Sequence, residues 1–121
     1  MAWPPNRWVT EEVRFETLQA RLLHLVSACD GVVALRGGVG TLSEVAMTWS
    51  LLQVGEITPR PFVLVGAGWA RVLETYRAES YINADRDLAL VQVVQTAEEA
   101  PPALAAWFAN PPEVPLRLSG G

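Results

Sequence analysis

Nine consecutive residues, Arg36-Gly37-Gly38-Val39-Gly40-Thr41-Leu42-Ser43-Glu44, gather three glycines, a threonine and a carboxylate between two apolar stretches. Glycine admits φ > 0 and lets a backbone approach a ligand with no Cβ in the way. Unpaired N–H groups at the start of a following helix, aided by its dipole, favour an anion such as phosphate. The run therefore points to a phosphorylated small molecule held by Gly37, Gly38, Val39, Gly40 and Thr41, with Glu44 one helical turn beyond. The lysine and spacing of a Walker A loop are missing, which argues against ordinary ATPase chemistry. Gly38-Val39-Gly40 opens like a dinucleotide fingerprint, but Ser43 stands where the third glycine would be. The plainer reading is a strand-to-helix turn that needs glycine. Three glycines exceed that need, and such strand ends are where α/β sheets bind ligands.

Each candidate has a structural reading beside the chemical one. Thr41-Leu42-Ser43-Glu44 has the spacing of a capping box, in which Glu44 would reach back to the Thr41 N–H. Thr96-Ala97-Glu98-Glu99 repeats that spacing with no glycine run, so the second box is expected to be structural only. Arg14 and Arg21 fall together on one border of an apolar stripe; they are either solvated or, for Arg21, folded back toward the loop. His24 lies off that stripe and is expected to be exposed, whereas Cys29 lies on it and is expected to be buried. No cluster has metal-ligand spacing and no Ser-His-Asp set is visible. The five tryptophans read as packing rather than a base-stacking platform.

The elements that must position these groups follow from periodicity. Thr10 is expected to cap a helix over residues 11–29, with Phe15, Leu18, Leu22, Leu25, Val26 and Cys29 on its apolar face. Residues 32–35 read as a strand buried on both faces. A helix over about 42–54, a strand over 61–65, a helix over 69–76, a strand over 90–94 and a helix over 96–109 complete the pattern. Alternating elements imply a parallel sheet with right-handed crossovers. The expected fold is an α/β, Rossmann-like three-layer αβα arrangement with about three strands and four helices. All three strands read as interior strands, so the chain resembles half of a larger sheet with an open edge. Residues 1–109 form the domain, and 110–121 a flexible tail containing Pro and Gly.

At 121 residues the chain is one domain at most, with half its residues hydrophobic. A net charge of −4 argues against broad nucleic-acid binding. No apolar run approaches the length of a membrane span, the N-terminus lacks a signal-peptide core, and one cysteine fits a reducing cytoplasm.

Gly37-Gly38-Val39-Gly40-Thr41-Leu42-Ser43-Glu44 resembles the GGxGTxxE signature of the LONELY GUY (LOG) family, also labelled possible lysine decarboxylases. The resemblance runs from about Asn6 to Ala100 and includes Asn6-Arg7-Trp8-Val9-Thr10-Glu11-Glu12 and the Trp49 to Gln53 segment. It implies a phosphoribohydrolase that cleaves the N-glycosidic bond of a nucleoside 5′-monophosphate such as AMP, giving free base and ribose 5-phosphate. It also implies catalytic roles for Arg21 and Glu44, phosphate binding by Gly37, Gly38, Val39, Gly40 and Thr41, no metal or redox cofactor, and a homodimer. A non-catalytic nucleotide-binding or sensing module, and an inactive dimerising fragment, are the alternatives. Arg36 stands where the family usually has proline, and Leu22 where many members have lysine. The strand and glycine-rich loop of the family's N-terminal half have no counterpart, which implies a partnered chain poorly active by itself.

Overall fold

The computed structural model describes residues 17–112. The Thr10 cap, Glu11, Glu12, Arg14, Phe15 and residues 113–121 of the expected tail lie outside them. The first described helix, α1, spans Leu18–Ala28. Thr17 has extended backbone and its Oγ1 accepts from the Ala20 N–H at 3.1 Å. An extended cap residue cannot lie inside a helix. The continuous helix expected over 11–29 is therefore corrected to one that starts at Leu18.

Next comes β1 (Val32–Ala34), then α2 (Val39–Val54), β2 (Phe62–Val65) and α3 (Ala67–Glu79). A 3-10 turn over Leu88–Leu90 leads into β3 (Gln92–Val94), and a second over Ala97–Glu99 into α4 (Ala100–Ala109). The strands form one parallel sheet in the order β1-β2-β3, with Val32 opposite Phe62 and Val63 opposite Gln92. This is a partial Rossmann-like α/β fold, as the alternating pattern implied.

Among the described strands only β2 is interior, and all four of its residues are buried. Its alternate side chains feed two cores. Phe62 and Leu64 pack with Val26 of α1, Val32 and Ala34 of β1, Val45 and Leu52 of α2, and Trp69 and Leu73 of α3. Val63 and Val65 pack with Val94, Ala100, Ala103 and Leu104 beneath α4. Three helices thus cover one face and one covers the other. Val33, on the α4 face, remains 37% exposed, so the expectation that residues 32–35 are buried on both faces is corrected; among the described residues β1 lies at an edge of the sheet.

Two polar devices tie the layers together. The Arg60 guanidinium, just before β2, donates to the carbonyls of Val26, Ser27 and Cys29 at 2.9, 3.3 and 2.7 Å, closing the C-terminus of α1. Buried Asp87 accepts from the Asn83 N–H at 2.8 Å and from Arg86 Nε at 3.1 Å, while its carbonyl accepts from Trp49 Nε1 at 2.8 Å. Burial alone would raise the Asp87 carboxyl; the Asn83 N–H, Arg86 and Gln53 outweigh it and hold it below the usual carboxylate value.

Candidate functional site

The glycine run leaves β1 at the C-terminal end of the sheet and enters α2 earlier than its spacing suggests. Gly38 is the N-cap, Val39 the first helical residue, and no side chain caps the helix. Thr41 is therefore the third helical residue and Glu44 the sixth, so the expected Thr41–Glu44 capping box does not form. The reason is local: with glycines at 37 and 38 the chain turns into helix before reaching a hydroxyl that could cap it. Glu44 is half-buried, and its carbonyl accepts from Thr48 Oγ1 at 2.8 Å. In the second box, Thr96 does not cap either, but the Glu99 carboxylate accepts from the Gln95 N–H at 2.9 Å.

None of the three loop glycines has positive φ; only Gly55 and Gly66 do among the described residues. The conformational argument for glycine in this loop is corrected accordingly. Space is what distinguishes them. A Cβ on Gly37 would lie 2.1 Å from Thr41 Oγ1 and 2.8 Å from Thr41 Cβ, so Gly37 lets the first turn of α2 fold back over the loop. A Cβ on Gly38 or Gly40 would meet nothing within 4 Å. No protein atom demands glycine at those two positions, which leaves their surfaces open to an approaching group.

A second glycine turn stands at the same end of the sheet. Gly66, φ 120°, is the N-cap of α3, with no side-chain cap, and its N–H donates to the Val94 carbonyl at 2.7 Å. Gly66-Ala67-Gly68 follows an apolar strand in the sequence, and α3 begins at Ala67, two residues before the expected start at 69. Two uncapped helix starts thus face the same sheet edge.

Arg21 belongs to α1, which a short link ties to the start of β1. Arg21 stands seven residues, about 10 Å along the helix axis, before the C-terminal end of α1. The extended path from Val32 to Arg36 rises about 13 Å. Around α2, Glu44 lies on the flank away from the groove that Leu42, Val45, Ala46 and Trp49 share with α3, so it faces the α1 side. Arg21 projects about 140° from the buried Val26 direction, is exposed, and makes no hydrogen bond or ion pair with Glu44.

The α2–α3 groove, about 880 Å³, is lined by Trp49, Trp69, Val72, Leu73 and Tyr76, with Trp49 and Tyr76 in edge contact at 6.4 Å. It lies on the other flank of α2 from Glu44. Cys29, expected to be buried, is exposed, and its thiol donates to the Leu25 carbonyl at 2.8 Å. Cys29 is the C-cap of α1 and has extended backbone, so the helical spacing that put it on the apolar stripe no longer sets its direction. His24 is exposed. Among the described residues no three His, Cys, Asp or Glu side chains gather as a metal site, and no helix is long and apolar enough to cross a membrane.

A glycine loop joining a parallel strand to an uncapped helix at the carboxyl edge of the sheet defines a Rossmann-like α/β protein. A family model described as "Possible lysine decarboxylase" matches residues 2–104, and the chain belongs to that family. This is the LOG family to which the glycine motif pointed. No curated protein matches the chain.

The family description raises one chemical test. Amino-acid decarboxylation with pyridoxal phosphate requires a lysine to form the Schiff base. All nine cationic side chains of this chain are arginines, and none is lysine. The residues present do not fit that cofactor.

Proposed function

We propose that the chain binds the 5′-phosphate of a nucleoside monophosphate such as AMP at Gly37–Thr41 and supports hydrolysis of its N-glycosidic bond. The observation that carries this reading is the open space over Gly38 and Gly40 at the uncapped start of α2. Backbone N–H groups there suit phosphate oxygens, and the helix dipole favours their charge. Gripping the phosphate supplies binding energy remote from the reacting bond.

In that reaction the bond from C1′ to the base nitrogen breaks, its electron pair and a proton go to the base, and a water oxygen bonds to C1′. The Glu44 carboxylate, freed from any capping duty, stabilises the positive charge growing on the sugar or takes the proton from water. Arg21 positions the substrate's anionic part. The products are free base and ribose 5-phosphate. Membership of the LOG family supports this class of reaction over decarboxylation, as does the lack of a lysine. A homodimer in the cytoplasm belongs to the same proposal, resting on the family resemblance and on the lone cysteine.

Chromatography of AMP incubations tests the activity. Release of adenine that falls at least about 100-fold in Glu44→Gln supports the assignment, given the usual worth of a positioned acid–base group. Turnover unchanged in both Glu44→Gln and Arg21→Ala would remove the proposed site. A second reading, nucleotide binding without catalysis, is favoured by the exposure of Arg21, which makes no hydrogen bond or ion pair with Glu44. Calorimetry that registers AMP binding with no adenine released would select it.

A further inference from the structure

The N–H groups of Val39, Gly40 and Thr41 precede the first bond of the α2 ladder, which runs from the Leu42 N–H to the Gly38 carbonyl at 3.1 Å. Among the described residues no side chain caps them. A helix start of this kind is worth about half an elementary charge. A phosphate monoester carries about −1.5 to −2 at neutral pH, so the backbone alone leaves roughly one negative charge unmatched. The Glu44 carboxylate, on the same helix, adds to that deficit.

A cation must make up the difference, and the chain has few to spare. Six arginines lie among the described residues: Arg21, Arg36, Arg60, Arg71, Arg77 and Arg86. Arg60 is engaged with the carbonyls that close α1, Arg77 with Glu74 and Arg86 with Asp87. Arg71 lines the α2–α3 groove, and Arg21 stands on α1. Arg36 alone adjoins the glycine run, on the bend between the end of β1 and Gly37. It is exposed, and among the described residues it has no hydrogen bond or ion pair. Only Gly37 and Gly38 separate it from Val39, the first helical residue.

We propose that Arg36 binds the phosphate and makes the site selective for a terminal phosphate monoester over a phosphodiester. The inference rests on the phosphate reading of the glycine run given above. A guanidinium keeps its charge at any working pH and pairs with phosphate through two parallel N–H donors. A monoester has three terminal oxygens: one takes the helix N–H groups and the other two lie in the arginine fork. A diester has only two terminal oxygens and about one charge less, so it cannot satisfy the helix start and the fork together. Proline, usual at this position in the LOG family, offers neither charge nor donor. The selectivity therefore belongs to a residue in which this chain departs from its family.

Calorimetry with AMP and with its 5′-phosphate methyl ester, which keeps the adenosine and drops one phosphate charge, tests this. The natural protein should bind AMP about tenfold or more tightly than the ester, the worth of roughly one charge-assisted hydrogen bond. Arg36→Gln should weaken AMP by that factor, leave the ester and the melting temperature unchanged, and so bring the two affinities together. Arg36→Lys keeps the charge without the fork and should retain part of the preference. A preference for AMP that survives Arg36→Gln, or an equal loss of both ligands, would overturn the role of Arg36 while leaving the phosphate site in place. Equal binding of both ligands to the natural protein would overturn it as well. Binding of neither ligand would remove the phosphate reading and this inference together.

Discussion

The two glycines with room to spare, Gly38 and Gly40, are the residues on which the proposed site is most exposed to refutation. Gly40 lies in the first turn of α2 and a Cβ there meets nothing, so alanine relieves the helix of a poor helix former. Gly40→Ala should raise stability by up to about 1 kcal/mol, measured by thermal melting. If the open surface receives phosphate, the same substitution weakens AMP binding in calorimetry. A variant both stabler and weaker in binding separates a functional glycine from a structural one. Gly37→Ala should behave oppositely. Its new Cβ collides with Thr41, and the loss of about 1–3 kcal/mol appears as a lower melting temperature with or without ligand. The glycine run was conspicuous in the sequence, but the reason for it was not. Backbone angle looked like the cause, and close approach is the cause for Gly37. That distinction depends on where the Thr41 side chain points, which no local pattern encodes.

Arg60 and Asp87 hold the elements in register. Neither stood out in the sequence, because each acts on partners far along the chain. Arg60→Ala removes the guanidinium nitrogen that bonds three carbonyls at the end of α1 and should cost about 1–3 kcal/mol. Fluorescence-monitored urea unfolding reads this as a lower midpoint. Asp87→Asn leaves Arg86 without its carboxylate partner and should destabilise by a comparable amount. The pH dependence follows from the lowered carboxyl of Asp87. Its stabilising contribution is complete above the unfolded-chain value of about 3.9 and declines as pH falls toward the lower folded value. Urea midpoints should therefore converge between the natural protein and Asp87→Asn in acid, and separate near neutrality. The elements themselves were mostly legible: three strands fell within a residue or two of their expected positions. Helix starts were less so. At α2 the glycines admitted helix before the Thr41 hydroxyl was reached, and at α1 Thr17 supplied a cap within an apolar stripe that looked continuous.

On a larger scale, the described residues form a three-stranded sheet covered by three helices on one face and one on the other, which leaves considerable apolar surface. Leu42, Val72 and Tyr76 along the α2–α3 groove are each about half exposed. The proposed homodimer should give a light-scattering mass near twice the 13.2 kDa chain, and a monodisperse monomer would count against it. The count and parallel sense of the strands were readable from the alternation of elements. Their edge status was not, since a three-residue apolar strand looks alike at an edge and in the interior until its neighbours are placed.

The full enclosure of β2 has a consequence for the order of events during synthesis. Val32 pairs with Phe62 and Val63 with Gln92, so each pairing closes a loop of about 30 residues before any contact rewards it. Phe62-Val63-Leu64-Val65 cannot be sheltered on both sides until Val94 has left the ribosome tunnel. Until then this stretch is a sticky, strand-forming segment with no native home. Nascent chains halted between Val65 and Gln92 should bind holding chaperones and pellet on release, whereas chains halted well beyond Ala109 should not.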